Sequence, residues 1–263
     1  MNYSSSHIFR RTELLVGSEA MERLAEKRVI LFGVGGVGSW CAESLIRSGV
    51  RHLTMVDADR VCTSNINRQL MATPQTVGQV KVEAMRERLL AINPEADVTA
   101  IQEIFSEETA AQFDLGSYDY VIDAIDSLRD KALLILMACQ TSVRFFSSMG
   151  AALKLDPTRI RVAEFWKVTG DPLARALRSR FKRDKTFPKR KFKCVFSDEL
   201  LQNKATCIPT DAEPNLFHKV QVNGTLAHIT AIFGFTLAGL VVQDIVEDAS
   251  AKNDRKESEM MVM

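Results

Sequence analysis

The sequence predicts an α/β fold: a mostly parallel sheet with helices on both faces, extended by additional strands in the C-terminal half. Three observations predict it. Short apolar runs such as Val29 to Phe32, His52 to Val56 and Tyr120 to Ile122 have strand length and the continuous hydrophobicity of strands buried on both faces. Amphipathic stretches of helix length lie between them, so strands and helices alternate. A glycine-rich loop, Gly33-Val-Gly35-Gly36-Val-Gly38, directly follows the first run and opens a helix.

Taken in order, residues 13–28 have Leu14, Leu15, Met21 and Leu24 spaced among charges as a helix requires. The strand at Val29 to Phe32 stops at the glycines, and Ser39 to Ser48 reads as a helix ending near Gly49. His52 to Val56 is the second strand, and 77–91 the second amphipathic helix, stopped by Asn93-Pro94. Val98 to Ile101, a helix near 107–113, Tyr120 to Ile122, a helix at 130–140 and a strand at 143–148 continue the alternation. Beyond Gly150, Arg159 to Phe165 and Phe192 to Phe196 read as strands and Pro172 to Lys182 as a helix. Residues 197–223 read as loop, and the stretch from Glu247 as a polar, frayed tail. The expected organisation is one domain over 1–263, with a nucleotide-binding half at 13–150, a substrate and dimer half at 151–246, and the tail at 247–263.

Composition narrows the class. The 263 residues are 46% hydrophobic and 25% charged, which excludes wholesale disorder, and the net charge is +1. Five cysteines without a CxxC pair argue against a disulfide framework and a four-thiolate zinc site, and suit a reducing cytoplasm. No apolar leader follows Met1. Residues 224–246 approach membrane-spanning length but are interrupted by His228, Gln243 and Asp244; a buried core helix is the first reading and membrane association the second.

The chemistry gathers around the glycine loop. Glycines permit a tight turn and close approach of backbone to a phosphate, and the helix N-terminus offers free N–H groups. Asp57 ends the second strand 24 residues after Gly33, where a ribose-binding carboxylate belongs. Asp57-Ala-Asp59-Arg-Val-Cys-Thr-Ser-Asn65-Ile-Asn67-Arg68-Gln69 then concentrates carboxylates, amides and a guanidinium, more than a dinucleotide site needs. A triphosphate with its magnesium ion does need them. Lys81 and Asp123-Ala-Ile-Asp126-Ser complete the set, with Asp126 at the carboxyl edge of the sheet.

Charge is distributed unevenly. Between Asp171 and Lys193 lie ten Lys/Arg and two Asp, a net +8 that leaves the remainder at −7. Arg175, Arg178, Arg180, Lys182, Arg183, Lys189, Arg190 and Lys191 are candidate phosphate contacts, and Phe181, Phe187 and Phe192 candidate apolar or stacking contacts.

GxGGxG, D-x-D-x-V-x-x-S-N-x-x-R-Q, V-G-Q-x-K and D-A-I-D-S together make the chain resemble the ubiquitin-activating-enzyme-like (ThiF/MoeB/HesA) superfamily, with its Rossmann-like fold. Its members adenylate a carboxylate with ATP. The resemblance implies that Gly33, Gly35, Gly36, Gly38, Asp57 and Asp59 line the nucleotide site, with Asp57 on the ribose. Asn65, Arg68 and Lys81 would bind phosphates, and Asp126 would coordinate Mg2+. Phe9-Arg10-Arg11-Thr12 is similar to the element that supplies an arginine finger across a homodimer, with Arg11 the matching position and Arg10 the alternative one residue away.

Lys154-Leu-Asp156-Pro157-Thr158, Asp171-Pro172-Leu173-Ala174 and Cys194-Val-Phe-Ser197-Asp-Glu199 look like the branch that dehydrates threonylcarbamoyladenosine in tRNA. That resemblance implies a catalytic set of Arg11, Arg68, Lys81 and Asp126, with the modified tRNA as partner. It also admits a sulfur-acceptor or cysteine desulfurase system. The branch carries a cysteine near the last helix, where this chain reads Gln221-Val-Asn-Gly224. Cys194 and Cys207 are the thiols nearest the basic stretch, and neither is assigned a catalytic role. The alternatives are an adenylyltransferase for a ubiquitin-like sulfur carrier, a noncatalytic RNA-binding scaffold and a Rossmann dehydrogenase.

Overall fold

The computed structural model of the chain describes residues 8–205 and 223–262. Its centre is a seven-stranded sheet. The strands are β1 (Arg28–Phe32), β2 (His52–Val56), β3 (Asp97–Ile101), β4 (Tyr120–Asp123), β5 (Arg144–Ser148), β6 (Ile160–Glu164) and β7 (Lys193–Ser197). They lie in the order β3-β2-β1-β4-β5-β7-β6, all parallel except β6, which runs antiparallel to β7.

The helices are α1 (Arg10–Val16), α2 (Ser18–Glu26), α3 (Gly38–Ser48), α4 (Lys81–Ile92), α5 (Leu128–Ala138), α6 (Pro172–Arg183) and α7 (Ala227–Val262). The two-residue period of β1 divides them into layers. Val29 and Leu31 point into a core shared with Leu24 of α2, Leu45 of α3, Met85 of α4 and Phe233 and Leu237 of α7. Ile30 and Phe32 point the other way, onto Leu134 and Ile135 of α5 and Leu177 and Phe181 of α6. The predicted fold class is the observed one. The order reverses between β1 and β4, and that switch point opens a crevice at the carboxyl ends of those strands.

Local differences have physical causes. The single helix expected over 13–28 is two helices, because Gly17 (φ +84°) breaks the chain between them. The helix expected from 77 begins at Lys81, because Val80 is extended and bridges Arg60, and the Val61 N–H bonds the Gln79 carbonyl. The helix expected at 107–113 is only a 3-10 turn over Ala110–Gln112. The apolar C-terminal helix begins three residues later than expected, at Ala227, and continues through the polar stretch after Glu247 to Val262. Gly49 ends α3 as expected, at φ +108°, its N–H on the Ile46 carbonyl and the Val50 N–H on that of Leu45.

Ala227–Ala249 is long and apolar enough to cross a membrane, and half of its most apolar stretch is buried against the rest of the chain. The packing on α3 is close: a Cβ on Gly234 would lie 2.4 Å from the Val37 carbonyl oxygen.

Candidate functional site

The glycine loop fills the crevice mouth between β1 and α3, and its glycines divide by role. Gly33 has φ +87°, and a Cβ there would lie 2.7 Å from the Ala124 carbonyl oxygen; one on Gly38 would meet the Gly33 carbonyl oxygen at 1.8 Å. These two are required by the fold. A Cβ on Gly35 would meet only the Gln69 amide, at 3.8 Å, so this glycine leaves an open cradle. Gln69 is buried, and its Oε1 has no hydrogen-bond partner among the described residues. An unmatched polar atom beside an open glycine suits a polar ligand laid along the loop. Gly36 faces Thr230 of α7 and Arg68, with Cβ-to-neighbour distances of 3.1 and 3.3 Å.

Asp57 is tied to this loop from below. Its Oδ2 accepts the Val34 N–H at 2.7 Å and its Oδ1 the Asp59 N–H at 2.9 Å. Burial raises its carboxyl above the ordinary range, while Lys81 and the amide donors pull the other way. Each oxygen keeps a second lone pair, which is what a ribose hydroxyl would use.

Lys81 and Asp59, 22 residues apart, meet at 2.6 Å, and the Lys81 N–H also bonds the Asp59 carbonyl. The antiparallel bridge that shortened α4 is what brings them together. Lys81 is buried, so this carboxylate fixes its ammonium in place while leaving N–H protons for a second acceptor. Asn65 is buried and its Oδ1 caps the Cys62 N–H at 3.0 Å. Arg68 donates to the Ser64 carbonyl and to Asn67 Oδ1, both at 2.9 Å, and its own carbonyl accepts from the Trp40 indole. Asn67 in turn donates to the Thr225 carbonyl at 3.2 Å, linking this segment to the stretch before α7.

Asp126 is exposed in the turn after β4, two residues beyond the Ala124 carbonyl that abuts Gly33. The residues that hold this turn were not identified from sequence. Lys131 is fully buried, 2.7 Å from Asp123 Oδ2 and donating to the Ile125 carbonyl at 2.8 Å. Asp123 accepts the Ile125 N–H at 3.0 Å and the Ser147 hydroxyl at 2.6 Å. The available signal was a lysine on the apolar face of the helix that runs Ala132-Leu-Leu-Ile-Leu. Among the described residues no three His, Cys, Asp or Glu side chains converge. Asp126 is the exposed carboxylate of this turn that could hold a magnesium ion, a hard cation bound through one or two carboxylates together with substrate phosphates.

Arg11, with Arg10, is exposed on α1, a helix that buries none of its residues, and Leu14 and Leu15 beside them are 80% and 84% exposed. A groove of about 470 Å³ lined by Val16, Ser44, Gly239 and Val242 lies between α1, α3 and α7; none of the candidate nucleotide residues lines it.

The basic stretch is a track rather than a patch at the crevice. α6 starts at the carboxyl edge, where Asp171 caps it and accepts the Gly150 N–H at 3.1 Å. Its twelve residues, about 18 Å of helix, end at the opposite edge of the sheet. Arg175, Lys182, Arg183, Lys189 and Lys191 are exposed along this track. Arg178 is engaged with the Phe165 carbonyl at 3.1 Å, and Arg180 and Arg183 pair with Asp184 at 3.4 and 2.9 Å. Arg190 is partly buried and donates to the Ala138 and Val143 carbonyls, so its guanidinium staples the chain beneath β5. Phe181 and Phe192 are core residues; of the three phenylalanines only Phe187 is exposed.

Cys194 is wholly buried, and burial pushes its thiol well above the ordinary range, the environment of a structural rather than a reactive cysteine. Cys207 and Gln221 lie outside the described residues. Glu199, which the motif Cys194-Val-Phe-Ser197-Asp-Glu199 contains, accepts the Leu155 and Asp156 N–H groups, and Lys154 is buried against the Ser197 and Glu199 carbonyls. These motif residues therefore join the segment after β5 to the one after β7.

The chain is similar to known proteins over nearly its whole length. The model of the ThiF family covers residues 9–261. A tRNA threonylcarbamoyladenosine dehydratase of Bacillus subtilis is 37% identical over 94% of this chain and 97% of its own length. The crystal structure of the Escherichia coli tRNA N6-threonylcarbamoyladenosine dehydratase in complex with ATP superposes with a TM-score of 0.79 at 35% identity, covering 97% of this chain and 99% of that one. A molybdopterin-synthase adenylyltransferase of Escherichia coli is 31% identical over 60% of this chain and 61% of its own.

Proposed function

The chain belongs to the ThiF family, and on that premise we propose that it is an ATP-dependent enzyme that dehydrates threonylcarbamoyladenosine in tRNA by adenylating its threonyl carboxylate. The observation that carries the reading is the pairing of Lys81 with Asp59 at 2.6 Å beside a glycine loop locked to Asp57 at 2.7 Å. In this reading the fixed Lys81 ammonium serves the phosphates, and the Asp57 carboxylate the ribose, of a nucleotide laid along the glycine loop. The similarity to dehydratases over more than nine-tenths of the chain, one of them crystallised with ATP, favours this activity over that of the adenylyltransferases, which match over 45–60% of the chain.

In this reading the threonyl carboxylate attacks the α-phosphorus and pyrophosphate leaves. The carbamoyl group of the same nucleoside then displaces AMP and closes a ring, with net loss of one water. Arg68 and Lys81 steady the phosphates while charge builds on the α-phosphoryl oxygens, and the cradle around Gly35 orients the nucleotide. A magnesium ion held by Asp126 would neutralise phosphate charge. Arg11 would reach the partner's site in a homodimer, and the exposed members of the basic track would carry the RNA backbone. A sulfur-acceptor or cysteine desulfurase system stays an accessory in this scheme. The packing of α7 on α3 favours a core helix in a cytoplasmic enzyme over a membrane anchor.

ATP–pyrophosphate exchange tests the reading. Exchange that requires tRNA bearing threonylcarbamoyladenosine supports it; exchange that requires a ubiquitin-like carrier instead overturns it.

A further inference from the structure

The buried ion pair beneath the Asp126 turn has a cost that stability does not explain. Lys131 and Asp123 are both wholly buried. A hydrophobic pair of similar volume would serve the surrounding core at least as well, because desolvating two charges offsets their attraction. What a hydrophobic pair could not do is hold the backbone of residues 124–127. The Lys131 ammonium bonds Asp123 Oδ2 and the Ile125 carbonyl together, and Asp123 Oδ1 takes the Ile125 N–H. On the other side, the Ala124 carbonyl abuts Gly33, where a Cβ would lie at 2.7 Å. Ser147 of β5 anchors the same carboxylate at 2.6 Å. The turn is thus clamped between the glycine loop and a buried cation, with the exposed carboxylate of Asp126 one residue past the clamped peptide.

We propose that Lys131 is a positioning residue: it sets where Asp126 presents its carboxylate relative to the glycine loop. It touches neither nucleotide nor substrate and acts only through the turn. The inference rests on the reading of Asp126 as the carboxylate of the magnesium–ATP site. Loss of such an outer partner commonly costs about 10–100-fold in metal affinity or activity.

The test is the effect of Mg2+ on the affinity of a fluorescent ATP analogue, measured without any RNA. The proteins are the wild type, Asp126→Ala, Lys131→Arg, the charge-free pair Lys131→Met/Asp123→Asn, and the last two combined with Asp126→Ala. In the wild type Mg2+ strengthens binding, and Asp126→Ala removes that gain. The charge-free pair is expected to lose about tenfold of the gain while its affinity without Mg2+ stays close to that of the wild type. Combining it with Asp126→Ala is expected to add nothing further, because the two act through one carboxylate. Lys131→Arg, which keeps the buried cation, is expected to give an intermediate loss of the Mg2+ gain. If the charge-free pair does not fold, the arginine variant alone decides. An intact Mg2+ effect in folded Lys131 variants, or a loss of affinity that is equal with and without Mg2+, overturns the positioning role and leaves the reading of Asp126 standing. A Mg2+ effect that survives Asp126→Ala itself overturns that reading, and the inference with it.

Discussion

Lys81 and Asp59 lie 22 residues apart and meet at 2.6 Å, although one opens a helix and the other sits in the loop after a neighbouring strand. The link is the extended segment at Val80, whose bridge to Arg60 sets Lys81 against the Asp59 carbonyl and carboxylate together. A lysine held in this way is a fixed point charge rather than a mobile surface cation, which is what charge stabilisation at a phosphoryl group requires.

The first prediction concerns the arginine finger. Arg10 and Arg11 are both exposed on α1, so substituting either leaves the fold of the chain intact. Arg11→Ala is expected to lower AMP formation by about 100-fold or more, and Arg10→Ala to change it little. Mixing Arg11→Ala with Asp126→Ala protomers should restore part of the rate if the finger acts across a dimer. Single-turnover AMP release measures both effects. Full activity in both single variants would remove the finger from the account.

A second prediction separates the basic residues by what they touch. Lys182 and Lys189 are exposed, whereas Arg190 is bonded to the Ala138 and Val143 carbonyls. Each exposed lysine changed to Ala should weaken tRNA binding and reduce the slope of log K against log salt by about 1. Arg190→Ala should instead lower the melting temperature, because two buried carbonyls lose their donor, at about 1–3 kcal/mol. Filter binding across a salt series and thermal melts distinguish the two classes.

Cys194 supplies the third. Its thiol is buried and raised, so turnover should proceed without it. Cys194→Ala should retain the rate within about threefold while costing about 1 kcal/mol of stability from the small cavity. A folded variant without turnover would contradict this and assign the thiol a part in the reaction.

The fourth is a dependence on pH. Burial alone would raise the Asp119 carboxyl, but the Lys27 ammonium at 2.8 Å and the Arg28 N–H hold it below its ordinary value. An acid with a depressed folded-state pKa stabilises the fold above the unfolded value, about 3.9, and loses that contribution as pH falls through the folded value. Both side chains are 35% exposed, so the contribution is below about 1 kcal/mol. Asp119→Asn should therefore melt slightly lower than the wild type at pH 7, and the gap should close below about pH 4.

Much of this was legible in the sequence, for identifiable reasons. The apolar runs of β1, β2 and β4 are buried on both faces, so continuous hydrophobicity marked them, and Gly33 and Gly38 stand where any side chain would collide with backbone. The candidate nucleotide residues Asp57, Asp59, Asn65 and Arg68 stand out in the sequence because they crowd into the loop after β2. Legibility failed where long-range pairing overrides local pattern. Val80 is extended because it pairs with Arg60, not because of its neighbours in sequence. Lys131 reads as one of three charges, with Arg129 and Asp130, at the start of an apolar helix until β4 supplies Asp123 as its partner. Arg190 looked like its basic neighbours because its acceptors, the Ala138 and Val143 carbonyls, lie some fifty residues away.

The most direct test of the whole account is mass spectrometry of nucleosides from tRNA carrying threonylcarbamoyladenosine, incubated with the purified protein and Mg-ATP under mild work-up. The account predicts that the modified nucleoside loses the mass of one water, only when ATP is present, and that the Lys81→Ala protein leaves it unchanged. A nucleoside of unaltered mass after incubation with active, ATP-binding protein would contradict it.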